Sequence, residues 1–192
     1  MYERIRQSNY AFSTYLIATV LCSLSLVIQF RLWRSDFHVP FYYDVGLDND
    51  HQMAVVKTLA DAGWFLANPW LGAPGVQENH DFWQGDSLQW ALIKFVGEVT
   101  PDFGTAINLS FLLGFVLTTW TSLFVLRRLG MCNPIAVVVS LLYAFQPYHF
   151  ARNEHHLALS FYFAVPLIVL VMVWLCEGQS IFSNWRLRWW NL

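Results

Sequence analysis

Four stretches of this chain are too long and too apolar to be left in water: Ala11 to Phe30, Thr105 to Leu126, Cys132 to Gln146 and Leu157 to Cys176. A helix needs about 20 residues to cross a bilayer. The first, second and fourth stretches meet that length. The third, at roughly 15 residues, crosses only with help from flanking aromatics, and otherwise lies flat at the interface. The rest of the composition agrees. Charged residues make up 12% of the chain and apolar ones 56%. Soluble domains carry roughly a quarter charged residues, so a water-facing surface could not be covered here. Ten tryptophans fit a protein with two membrane interfaces, where the indole is half wet. The net charge of −2 leaves no basic field for nucleic acid.

Charge then orients the spans. Arg4 and Arg6 precede the first, Arg127 and Arg128 fill the turn after the second, and Arg186 and Arg188 follow the fourth. With four spans all six arginines fall on one side, which the positive-inside rule makes the cytoplasm. The expectation is an all-α, polytopic membrane protein, one domain over residues 1–192, in the inner (plasma) membrane with both termini cytoplasmic. The first run, Ala11 to Phe30, is too long for a signal peptide and lacks a cleavage site, so it reads as an uncleaved anchor. Residues 31–104 form a large extracytoplasmic loop with ten Asp/Glu and four Lys/Arg, and residues 147–156 form a short turn on the same side. All six histidines lie there as well. Cys22, Cys132 and Cys176 sit in or beside apolar segments, with no metal or disulfide spacing.

The large loop carries helical periodicity. Met53, Val55, Val56, Leu59 and Ala60 make an apolar stripe that Gly63 ends. Leu88, Ala91, Leu92, Phe95, Val96 and Val99 make another, with Gln89, Lys94 and Glu98 off it. Such amphipathic helices between spans commonly lie in the membrane interface, and Leu88, Leu92 and Phe95 are expected toward lipid or neighbouring spans. Asn68-Pro69-Trp70-Leu71-Gly72-Ala73-Pro74-Gly75 joins the two as a turn-rich connector.

Two groups of residues have the makings of a site. Asp44, Asp48 and Asp50 follow the first span; carboxylates just outside a membrane can take a proton from a hydroxyl or hold a divalent ion that screens a phosphate. The competing reading is that Asp48 or Asp50 caps the first loop helix, and Asp86, beside Asp81, is placed to cap the second. The second group is the turn that packs His149, Arg152, Glu154, His155 and His156 between two spans. Polar groups this close to hydrocarbon are costly unless satisfied, and so are often functional. Arg152 suits a phosphate oxygen, and the histidines suit a metal ion or a proton relay. A short hairpin also needs polar residues simply to stay wet.

An acidic loop after the first span resembles the bacterial polytopic glycosyltransferases of the GT-C class, which includes the protein O-mannosyltransferases. Asp48 to Trp64, Asn68-Pro69-Trp70-Leu71-Gly72-Ala73-Pro74 and Asp81-Phe82 to Asp86 are similar to an uncharacterised bacterial branch of it. Arg127-Arg128-Leu129-Gly130, Pro147-Tyr148-His149-Phe150 and His156-Leu157 to Pro166-Leu167 continue the likeness, which covers residues 40–177. The resemblance implies a polyprenyl-phosphate-linked sugar as donor, an acceptor hydroxyl, membrane lipid as surroundings and often a divalent ion, Mg or Mn. It also implies a first-loop catalytic base, which Asp48 matches best by its spacing to Lys57 and Gly63-Trp64, with Asp50 second. Asp86 or Glu154 would be an auxiliary acid or metal ligand, Arg152 a phosphate clamp, and His149, His155 and His156 further substrate-binding groups. Enzymes of this class have at least about seven spans, so four lead to the expectation of a truncated frame, an amino-terminal module or half of a split enzyme. The alternative is a non-catalytic remnant, or an assembly subunit that holds a second membrane subunit.

Overall fold

The computed structural model describes residues 2–42, 47–80, 87–100 and 102–178, with the side chains of 2–10 and 47–49 outside that description. Within it the regular secondary structure is helical apart from one hairpin. The helices are α1 (Tyr2–Gln29), α2 (Leu47–Asp61), α3 (Ser87–Glu98), α4 (Phe103–Arg128), α5 (Asn133–Ala144), α6 (Pro147–Arg152), α7 (Leu157–Ser160) and α8 (Val165–Cys176). The antiparallel strands β1 (Ala67–Asn68) and β2 (Gln77–Glu78) pair Ala67 with Glu78 and Asn68 with Gln77.

Among the described residues three helical segments are long and apolar enough to cross a membrane: Ala11–Gln29, Phe103–Arg128 and Asn133–Arg152. Two of the expected boundaries change. The run expected to end at Gln146 continues after a short break into α6, so residues 147–152 are helix rather than turn. The break falls before Pro147, whose ring excludes an N–H and crowds the carbonyl four residues back. The fourth stretch, 157–176, is not one helix. It divides into α7 and α8 around residues 161–164, with Pro166 in the first turn of α8. Twelve residues of α8 rise only about 18 Å against a hydrocarbon core of about 30 Å.

The chain divides into two compact units, residues 1–26, 115–146 and 162–192 in one, and 27–114 and 147–161 in the other. In the first, small residues set the packing: Ala18, Leu123, Ala136 and Val137 form a buried cluster covered by Tyr15, Leu126, Met131 and Leu141. Polar groups there bond helix to helix. The Trp120 indole N–H donates to Thr19 Oγ1 at 2.8 Å, and Thr119 Oγ1 donates to Cys22 Sγ at 3.6 Å. Helix α4 closes on Gly130 (φ +86°), with Met131 N–H reaching the Leu126 carbonyl and Gly130 N–H the Arg127 carbonyl. The Arg127 and Arg128 cations suit this negative helix end, and their guanidiniums lie over the Tyr15 and Phe124 rings.

The second unit is built on α2 and α3. Val55, Val56 and Leu59 of α2 are buried, and Gly63 (φ +111°) follows the helix as the stop that the sequence marks. Helix α3 has apolar residues on both sides. Trp90, Ile93 and Val96 form its buried face, with Trp90 fully enclosed and 5.4 Å from the Phe65 ring. Of the stripe read from the sequence, only Val96 is in that buried set, while Leu88, Phe95 and Val99 are exposed. Lys94 turns back to donate to the Leu59 carbonyl at 3.3 Å and pairs with Glu98 at 3.1 Å.

Candidate functional site

The polar centre of the second unit grows from a helix cap at the mouth of α4. Asp102 precedes α4 and accepts from Thr105 N–H at 2.9 Å, satisfying one orphan donor of the first turn, and from Thr105 Oγ1 at 2.8 Å. His38 Nδ1 donates to the same carboxylate at 2.8 Å. The Thr105 N–H bond above all, then the Thr105 hydroxyl and His38, holds Asp102 down at about 2. Two turns of contact follow. A Cβ at Gly104 would collide with the His38 carbonyl, so glycine is what lets residues 37–42 lie on the helix.

Asn108, one turn further on and fully buried, fastens that segment. Its Nδ2 donates to the carbonyls of Phe37 (2.8 Å) and Val39 (2.9 Å), and its Oδ1 accepts Phe41 N–H at 2.9 Å. Asn108→Leu keeps the volume but strands these backbone groups, and a buried group left unpaired costs about 1–3 kcal/mol. Helix loss on heating in detergent should therefore come earlier by an amount equivalent to about 2 kcal/mol. An unchanged midpoint would show that the segment does not depend on the clamp.

The clamped segment delivers the backbone of Tyr42 to the turn after α6. Asn153 takes a left-handed φ of +39°, which asparagine tolerates, and its Oδ1 accepts His155 N–H at 2.8 Å. That turn directs Glu154 inward, where it is 1% exposed. Tyr42 N–H donates to Glu154 Oε2 at 3.0 Å, and His155 Nε2 donates to the Tyr42 carbonyl at 2.7 Å. Glu154 Oε1 is buried and meets no hydrogen-bond partner among the described residues. Burial dominates the carboxyl: it is pushed up to about 7, against the pull of the Tyr42 and Phe41 N–H groups toward the charged form. Burial, and then Glu154 itself, raise the Tyr42 phenol too.

An aromatic shell surrounds this centre. Phe30 stacks on Phe41 (5.4 Å) and Phe150 (6.2 Å) and meets Phe111 edge-on at 5.8 Å. His149 is fully buried, edge-on to Phe111 at 5.4 Å, and its Nε2 lies 3.5 Å from where a Cβ on Gly114 would be.

Of the residues singled out in the sequence, the structure thus gathers Glu154, His155 and His149 in one unit with Tyr42. Arg152 ends α6 half-buried, its guanidinium 5.4 Å over the Tyr148 ring, and forms no ion pair with Glu154. His156 is the N-cap of α7, its carbonyl accepting from the N–H groups of Leu159 and Ser160, while its own N–H reaches back to the Arg152 carbonyl. Asp50 is exposed on α2. Asp48 falls in the first turn of α2, which begins at Leu47, so neither acid occupies the cap position ahead of that helix. The Asp48 side chain lies outside the described residues, as do Asp44, Asp81 and Asp86; position 86 does immediately precede α3. Among the described residues no three His, Cys, Asp or Glu side chains gather as a metal ion requires. Tyr42, Asn108, Asp102 and His38 were not picked out in the sequence. An acid next to an apolar run with threonine three positions on is a legible cap, and a lone amide inside that run is a legible polar contact.

Comparison of the chain with protein-family models, with curated proteins and with solved structures gives no match.

Proposed function

We propose that this chain belongs to a GT-C-type glycosyltransferase and helps move a sugar from a polyprenyl phosphate to an acceptor hydroxyl on the extracytoplasmic side. The observation that carries the reading is Glu154: a buried carboxyl with one oxygen tethered to Tyr42, the other unpartnered, and a proton held until about neutral pH. In the proposed transfer the acceptor oxygen bonds to the anomeric carbon as the bond from that carbon to the phosphate oxygen breaks. The acceptor's proton goes to Asp48, and polyprenyl phosphate leaves. A neutral Glu154 can donate a hydrogen bond to the phosphate as its charge grows, which an ionised carboxylate would repel. Arg152, at the end of the adjoining helix, supplies the cation.

The test is a transfer assay on membranes holding the chain, alone and with the products of adjoining reading frames, against a panel of labelled polyprenyl-phosphate sugars. Transfer from one donor is expected, lost in Glu154→Leu, which has no donor to offer the phosphate, and largely kept in Glu154→Gln, whose amide still donates. No transfer from any donor, with the chain folded, rejects the reading in favour of an assembly subunit.

The orientation has its own test, because two native thiols are exposed. Cys132 follows α4 and Cys176 ends α8, while Cys22 is buried. In right-side-out vesicles an impermeant maleimide should label Glu78→Cys and spare Cys132, with Cys176 replaced by serine. Labelling of Glu78→Cys and Cys132 from the same face removes the proposed topology.

A further inference from the structure

We propose that the tip of the β1–β2 hairpin, residues 69–76, is a second membrane contact that inserts into the lipid interface beside the mouth of α4. The tip reads Pro-Trp-Leu-Gly-Ala-Pro-Gly-Val: eight consecutive exposed residues without a charge. Trp70 is 76% exposed, and Leu71 and Val76 are about half exposed. In water a contiguous apolar tip of this kind is a cost, and it marks a contact surface.

The tip is held in place, so its exposure is built in. Asn68 anchors its root: Nδ2 donates to Thr58 Oγ1 of α2 at 2.7 Å, and Oδ1 accepts Trp70 N–H at 2.9 Å. Gly75 N–H reaches the Gly72 carbonyl at 2.9 Å, and Gln77 N–H the Leu71 carbonyl at 2.8 Å. Gly72 adopts φ +85°, and a Cβ there would sit 2.6 Å from Gln77 N, so only glycine makes the turn. Backbone groups met inside the loop are what entry into an interface demands, since lipid offers no replacement bonds.

Two observations assign lipid rather than another partner. The first is continuity with a membrane span. Lys57 and Asp61 of α2 form one wall of a groove of about 360 Å³, and Trp70 and Leu71 form the other. The Lys57 ammonium also stands 5.4 Å from the ring of Phe103, the first residue of the apolar helix α4. One side chain therefore borders both the groove and the end of a span, which puts Trp70 near interfacial depth, where tryptophan is favoured. The second is the division of charge. The Lys57–Asp61 pair (2.6 Å) stays on the helix side, where headgroups and water can solvate it, while the tip carries none.

The test uses the full-length chain reconstituted in phosphatidylcholine vesicles. Benzoylphenylalanine at position 70, in the background with native cysteines, should crosslink on irradiation to phospholipid, read as a mass increase of one lipid. Independently, a nitroxide on Leu71→Cys, with Cys132 and Cys176 replaced by serine, should be open to oxygen and largely protected from an aqueous nickel chelate. A nitroxide on exposed Glu78→Cys should be open to the chelate. Equal chelate access at positions 71 and 78 would overturn the proposal. So would a chain-to-chain crosslink from position 70, or spin–spin broadening at 71 that disappears on dilution with unlabelled chain, because either would seat a second copy on the tip.

Discussion

Asp48→Asn should slow sugar transfer by about 10²–10⁴-fold, the usual contribution of a general base. That corresponds to roughly 3–5 kcal/mol of lost transition-state stabilisation. The fold should hardly notice. Asp48 lies in the first turn of α2 rather than at its cap, so asparagine there forfeits only an acid's attraction to the helix N-terminus, about 0.3–1 kcal/mol. The gap between those magnitudes lets a crude assay decide. Asp50→Asn is the matched control. Positions two apart on a helix are separated by about 200°, so the two acids occupy opposite faces and cannot both serve one centre. Asp50 is exposed, and its asparagine variant should turn over near the normal rate. An inactive Asp50→Asn beside an active Asp48→Asn would move the base two residues along. Near-normal turnover in both would remove the first-loop acids from the chemistry.

How legible these features are in the sequence depends on the range of the forces behind them. Long apolar runs declare helices directly, since the bilayer's thickness and the backbone's need for internal hydrogen bonds leave little choice. Helices α1 and α4 accordingly appear close to where the runs place them. The run at 157–176 misleads because hydropathy ignores Pro166, and a proline changes where a helix starts without making the segment polar. Helix α3 misleads differently. Apolar on nearly every side, it offers two stripes, and the sequence cannot say which packs on Phe65 and α2; Trp90 decides it by its bulk. The site is partly legible. Glu154 is conspicuous as an acid between spans, but its partners are backbone groups of Tyr42, 112 residues away. No side-chain pattern announces a main-chain donor. Asn108 and Gly104 are the residues that bring that donor into place, one by bonding three backbone groups and the other by having no side chain.

The fold should lose stability as pH rises from about 4.5 to 7, and Glu154→Gln should remove that slope. The sign follows from the raised carboxyl. Its ordinary value is 4.5 and the folded value about 7, so between them the folded chain keeps a proton that the unfolded chain releases. Unfolding then sheds a proton, and stability falls with pH until the folded carboxyl ionises as well. At 1.36 kcal/mol per pH unit the span amounts to about 3 kcal/mol between pH 4 and pH 8. The difference between wild type and variant is the quantity to read. Glutamine keeps an oxygen for Tyr42 N–H and adds an amide whose unmatched N–H costs about 1–3 kcal/mol at every pH. The variant can therefore be less stable at pH 5 and still show the flatter profile. Reversible SDS unfolding in mixed micelles at pH 5, 6, 7 and 8 measures this directly. A variant that keeps the wild-type slope would mean that Glu154 ionises normally in the folded state. It would then lack the proton that the proposed transfer requires near a departing phosphate. With the flat profile, the transfer rate should fall above pH 7 in the wild type, as the same proton leaves the site.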